Sequence, residues 1–186
     1  TGGINLGADD YFSVGSPVRV VISATTYYGI CTAVTDTLLT ISGAILPTAT
    51  AITSLSVGSA DMVTRIRMCF SGTTYNSSTT LVLTKGCQHR WHGATGYLCM
   101  YSVAHMNTSS TTEVTLQMNG GSNVVATGII PGAGTATAYG AFTETAVGTL
   151  IAANLAIAHN QTITAKTPTA GGTADYLVID MTFVVP

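Results

Sequence analysis

Charge is the scarcest property of this chain. Eight Asp or Glu and six Lys or Arg make only 8% of its 186 residues charged, where a soluble domain ordinarily carries about a quarter. Six dispersed cations cannot line a groove that tracks a phosphate backbone, so nucleic-acid binding is not expected. Aromatics are also few, at 7% with a single Trp, which argues against a broad stacking platform for sugars. Long apolar runs are missing as well. The nearest, "AVGTLIAANLAIA" at 146–158, is interrupted by Thr149 and Asn154 and falls short of the roughly 18 residues of a span. No membrane partner is expected. The opening "TGGINLGADD" has no basic start followed by an apolar stretch, so no secretory leader is read in it.

Cysteine is scarce and unpatterned. Cys31, Cys69, Cys87 and Cys99 make no C-x-x-C pair, and four cysteines allow three pairings that spacing does not rank. Each lies in or beside an apolar stretch, as in "YYGICTAV" and "GYLCMY", where a thiol acts as a small hydrophobe. Reduced cysteines in a chain made in cytoplasm are the expectation. The Asn-x-Ser/Thr triplets at Asn76, Asn107 and Asn160 are what chance supplies in so Thr- and Ser-rich a chain.

What remains is 46% hydrophobic, with a mean hydropathy of +0.43, and it alternates. In "ADYLVIDMTFVV", Leu177, Ile179, Met181, Phe183 and Val185 alternate with Tyr176, Val178, Asp180, Thr182 and Val184. That is a strand with one apolar and one mixed face. "TEVTLQM" and "MVTRIRMCF" repeat the signal, with Arg65 and Arg67 opposite Ile66, Met68 and Phe70. Turn formers ("SGTTYNSS", "NGGSN", "PGAG", "TPTAGGT") punctuate the chain. Strands are expected near 62–70, 79–85, 96–106, 112–118, 123–130, 136–142, 149–157, 161–166 and 174–185, the seventh equally readable as a short helix.

The fold class is therefore all-β: a jelly-roll-like β-sandwich over 61–186, preceded by a small β subdomain or arm over 1–60 and containing at most one short helix. The leading part holds four short β-like runs, "PVRVVISA", "YYGICTAVT", "TLLTISGAI" and "ITSLSV", and gives way to the sandwich in "VGSAD" at 57–61. It reads as poor in a core of its own, so Val20, Ile22, Ile30, Leu39 and Ile41 are expected to be covered by a partner. Val178 and Val184, on the mixed face of the last strand, call for a cover too. So neutral and apolar a composition suits surfaces buried in an assembly.

Chemistry-bearing side chains concentrate in "KGCQHRWHG" at 85–93. Cys87, His89 and His92 would suit zinc if Cys99 or His105 completed the set, yet no paired ligand module is present. The stretch reads instead as a loop between glycines, with Arg90, Trp91 and His92 as an adhesive contact surface and Trp91 its anchor. Asp9, Asp10, Tyr11 and Phe12 form a second candidate interface. No catalytic residue, metal or cofactor is expected. "PGAGTATAYG" has Thr137 where a dinucleotide loop needs its third glycine, and no P-loop, G-x-S-x-G or H-E-x-x-H spacing occurs. A paired-carboxylate hydrolase would need Asp175 or Asp180 beside Glu113 or Glu144.

The ending "ITAKTPTAGGTADYLVIDMTFVVP", together with "DTLLTISG" at 36–43 and the short Thr/Ser/Gly-rich strands, resembles the capsid decoration (cement) and fibre-head proteins of tailed bacteriophages. The resemblance is one of style and carries no residue-specific motif. It implies a homotrimeric jelly roll on the virion surface, docked on the major capsid protein and without catalysis. Residues 1–60 would attach it and 61–186 would face outward. The alternatives are a receptor-binding fibre or spike head with a glycan receptor, and a carbohydrate-binding module.

Overall fold

A computed structural model of the chain describes residues 7–43, 46–47, 51–75, 89–108, 115–119, 124, 143–144, 155–166 and 172–186. Four strands lead: β1 (Pro17–Ile22), β2 (Thr25–Val34), β3 (Leu39–Gly43) and β4 (Ile52–Val57). Eight follow: β5 (Val63–Tyr75), β6 (His89–Arg90), β7 (Gly96–Thr108), β8 (Thr115–Met118), β9 (Thr143–Glu144), β10 (Ala156–Ile157), β11 (Thr162–Lys166) and β12 (Gly172–Val184). All described pairings are antiparallel. The protein is all-β. Its only helical turns among the described residues are two 3-10 turns, Ala8–Asp10 and Ala60–Met62. The strands expected at 79–85 and 136–142, and nearly all of 123–130, lie outside the described residues. So does most of the segment with helical character, which ends in the short strand β10.

The trailing strands form two layers, a sheet of order β10-β7-β12-β5 with β9 on β7, and a smaller sheet of order β6-β11-β8. Strand β12 runs between β5 and β7, and its alternation decides what goes inside. Ile179, Met181 and Phe183 are at most 1% exposed and meet Leu98, Tyr101 and Met68 of the same sheet and Leu116, Ile163 and Ala165 of the other. Apolar residues at every second position thus fill one continuous core between the layers. On the opposite face, Arg67 of β5 sits directly across from Asp180 and grips its carboxylate with two hydrogen bonds, 2.6 and 3.0 Å. Asp180 is therefore an ion-pair partner at a half-open surface.

The leading strands make a sheet of order β3-β2-β1-β4. The expectation that they lack a core is corrected. Val18, Val20, Ile22 and Cys31 pack with Phe12 into a cluster of their own, flanked by Tyr27, Leu39 and Ile41. The other face of β2 docks on the larger sheet: Ile30 meets Cys99 and Val184, with Tyr28 and Val63 alongside. The rings of Tyr28 and Tyr97 lie 4.7 Å apart, and the buried Ser42 hydroxyl donates to the Cys99 carbonyl at 2.8 Å. Val184, for which an external cover was anticipated, is 1% exposed because the leading sheet covers it. Val178, the other residue of that face for which a cover was anticipated, is only half-buried.

The β1–β2 hairpin carries strain. Ile22 pairs with Thr25 across a two-residue turn in which Ser23 and Ala24 have φ of 46° and 70°. Such a turn wants Asn or Gly, because a Cβ in the left-handed region meets the following carbonyl. Ala24→Gly should relieve this by about 0.5–1 kcal/mol, net of the extra freedom glycine has when unfolded. Chemical denaturation should give a raised midpoint. Thr25→Gly, one residue on in regular β2, should lower it.

Candidate functional site: a histidine-rimmed groove beside Trp91

Residues 89–96 are built around a tryptophan that faces inward. β6 pairs with β11, Thr162 opposite Arg90 and Ile163 opposite His89. Just beyond, the Trp91 N–H donates to the Gln161 carbonyl (2.9 Å), and the Asn160 N–H donates to the Trp91 carbonyl (2.8 Å). Asn160 closes this tight turn at φ 64°. The Gln161 side chain steadies the turn by accepting from the Ala158 N–H at 2.8 Å. The indole, 3% exposed, lies against Phe183 with centroids 4.9 Å apart, and its Nε1–H donates to the Ala94 carbonyl at 2.6 Å. A buried indole with its one donor satisfied is a core residue. Gly96 belongs to the same arrangement, since a Cβ there would stand 2.6 Å from the indole Cζ2.

Trp91 is thus corrected from an adhesive anchor to a core residue. Phe12, 8% exposed, is likewise interior. The other residues of the two candidate interfaces, Asp9, Asp10, Tyr11, Arg90 and His92, are exposed. They form no single surface: the first three sit at the start of the leading unit, where the Asp10 carboxylate accepts from the Gly7 N–H at 2.9 Å. The cluster expected to be a loop contributes a short strand, His89–Arg90. Cys87 lies outside the described residues.

An open groove of about 500 Å³ runs beside this corner. Met62, Ile66 and Val185 give it apolar lining, Asp61 and Thr64 a polar side, and His89, Arg90 and His92 complete its rim. His159 joins from the turn after β10: its Nδ1 lies 2.9 Å from the His92 carbonyl, and the two rings stand edge to face at 6.4 Å. A carbonyl only accepts, so Nδ1 carries the proton in this contact. His89 is held below its ordinary pKa, first by burial and then by the neighbouring His92. Asp61 is held below its own by a hydrogen bond from the Ser59 side chain. Three of the four histidines therefore meet here. The partnership of His92 with His159, 67 residues apart, had no sequence signal.

The groove is equipped for hydrogen bonding beside an apolar lining. Among the described residues, no group of three His, Cys, Asp or Glu side chains is placed to hold a metal. Cys99, weighed as a fourth ligand, is buried beneath the leading sheet, and that burial pushes its thiol up to about 12. A second open cavity, about 620 Å³, lies on the outer face of the large sheet along Arg65, Arg67, Ser102, Asp180 and Thr182. The Asp180 carboxylate there is taken up by Arg67. No family model, curated protein or solved structure matches the chain.

As the only Trp, Trp91 reports directly on this arrangement. Its native emission should be blue-shifted and poorly quenched by acrylamide, and Trp91→Ala should destabilise by about 3–5 kcal/mol. A water-exposed emission spectrum would return Trp91 to the surface.

The lowered pKa of His89 sets a pH dependence. The unfolded chain takes up this proton more readily, so the stability that His89 contributes is complete above about pH 6.5. It is lost as pH falls through the lower folded value. Melting temperature should fall from pH 7.5 to pH 5, and His89→Gln should shrink the fall.

Proposed function

We propose that the chain is a structural virion protein, a homo-oligomer that decorates a bacteriophage shell through its leading unit and performs no catalysis. The observation that supports this is the distribution of exposed apolar side chains. Tyr11 (58%), Val14 (68%), Leu38 (61%), Ile52 (52%), Leu55 (40%) and Val57 (47%) are the exposed large hydrophobics among the described residues, and all lie before residue 58. Among the described residues of the larger sandwich, no large hydrophobic side chain is exposed. A unit that leaves several large apolar side chains open to solvent is suited to attach to a partner through them. The corrected division of labour differs from the expected one in its residues, because Val20, Ile22 and Ile30 are covered within the chain.

The major capsid protein is the proposed partner and the virion surface the proposed location. Tyr11, Val14 and Leu38 are the proposed contacts with the shell. Removing half-exposed apolar side chains of this size from such a contact costs about 1 kcal/mol each. Co-sedimentation with shells stripped of this chain should therefore show roughly hundredfold weaker binding for the triple variant Tyr11→Ser, Val14→Ser, Leu38→Ser, with melting temperature little changed. Wild-type binding by the triple variant would remove the leading unit from the contact. Attachment to host cells or glycans in place of shells would favour the fibre-head reading.

A further inference from the structure

Strand β4 is exposed at all six positions, yet it continues an apolar face. It lies at the end of the leading sheet and pairs, among the described strands, only with β1. Directly opposed residues of an antiparallel pair share a sheet face. Val57 opposes Val18, Leu55 opposes Val20 and, after a register shift, Ile52 opposes Ile22. The β1 members of these pairs are 1–3% exposed and their β4 partners 40–52%. The core face therefore runs on past its cover.

The edge itself is unguarded. "ITSLSV" contains no charge and no proline, the devices by which sheet edges ordinarily deter pairing. Among the described strands none pairs with the outer edge of β4; such an edge is completed by another strand, and the sequence indicates which. Thr53-Ser54-Leu55-Ser56-Val57 reads nearly the same in both directions, since Thr and Val have the same branched shape. Set antiparallel to a second copy about a two-fold axis through Leu55, the strand puts Leu55 against Leu55, Ser54 against Ser56, and Thr53, the residue that β1 leaves unpaired at the register shift, against Val57. That juxtaposes apolar side chains on one face and hydroxyls able to bond each other on the other. With no charge on either copy, nothing repels.

We infer that β4 is the self-association edge of this protein: two copies pair their β4 strands antiparallel about Leu55, joining two four-stranded sheets into one of eight. This gives the homo-oligomer of the proposed function a two-fold contact, where the phage resemblance implied a trimer. It rests on that reading only for self-association and does not need the shell, whose proposed contacts are elsewhere on the leading unit.

Sedimentation equilibrium of the full chain over the micromolar range tests it. The wild type should be a dimer, or an even-numbered assembly. Leu55→Lys, which sets two ammonium groups face to face at the axis, should shift it to monomer with the melt of the monomer retained. Val57→Lys alone should weaken the dimer at least tenfold, and Thr53→Glu combined with Val57→Lys should restore it, because each new carboxylate then faces a new ammonium of the other copy. A wild-type monomer, a trimer indifferent to Leu55→Lys, or no recovery in the double variant would overturn the proposal. Shell binding by a chain that stays monomeric would leave the shell reading standing without it.

Discussion

Everything described in the trailing part of the molecule is organised by the two-sided pairing of β12. Its register with β5 runs from Gly172 to Val184, and with β7 from Ala174 to Val184, interrupted by a shift at Thr182/Phe183. Because side chains alternate, this one strand feeds two separate packings. Ile179, Met181 and Phe183 enter the core between the large and small sheets, while Val184 enters the contact with the leading sheet. A one-residue slip would exchange the two sets. It would bury Asp180 and Thr182, and strand the Arg67 guanidinium without its carboxylate.

That constraint extends to the corner that looked most like an active site. Phe183 is the ring against which Trp91 packs, so the indole is held by the same strand that defines the core. With Trp91 turned inward, its neighbours His89, Arg90 and His92 fall around the mouth of the groove. The backbone bonds from Asn160 and to Gln161 then bring His159 beside them. The histidine cluster is a consequence of how the tryptophan is buried. It sets hydrogen-bonding imidazoles beside an apolar lining.

The contrast between the two units is physical. The large sandwich has two layers to enclose its apolar residues. The leading sheet has one, and divides its two faces between a small cluster around Phe12 and the docking surface around Ile30. A single four-stranded sheet cannot cover its last strand by these means, and β4 is where cover runs out.

Strands and their facing were legible from alternation alone: the four leading runs and the ends of β12 appear where the pattern of apolar residues set them, because a period of two is a local property of the backbone. Tertiary structure decided what local pattern could not hold. Trp91 between Arg90 and His92 has the look of a surface anchor, and only the contact with Phe183, 92 residues away, places it inside. Val184 seemed to need another molecule until β2 was seen to cover it. Cys99 lay within reach of a ligand set on paper, and the fold puts it under a different sheet. In each case the deciding partner came from a distant part of the chain, and sequence spacing carries no record of which distant segments share a face.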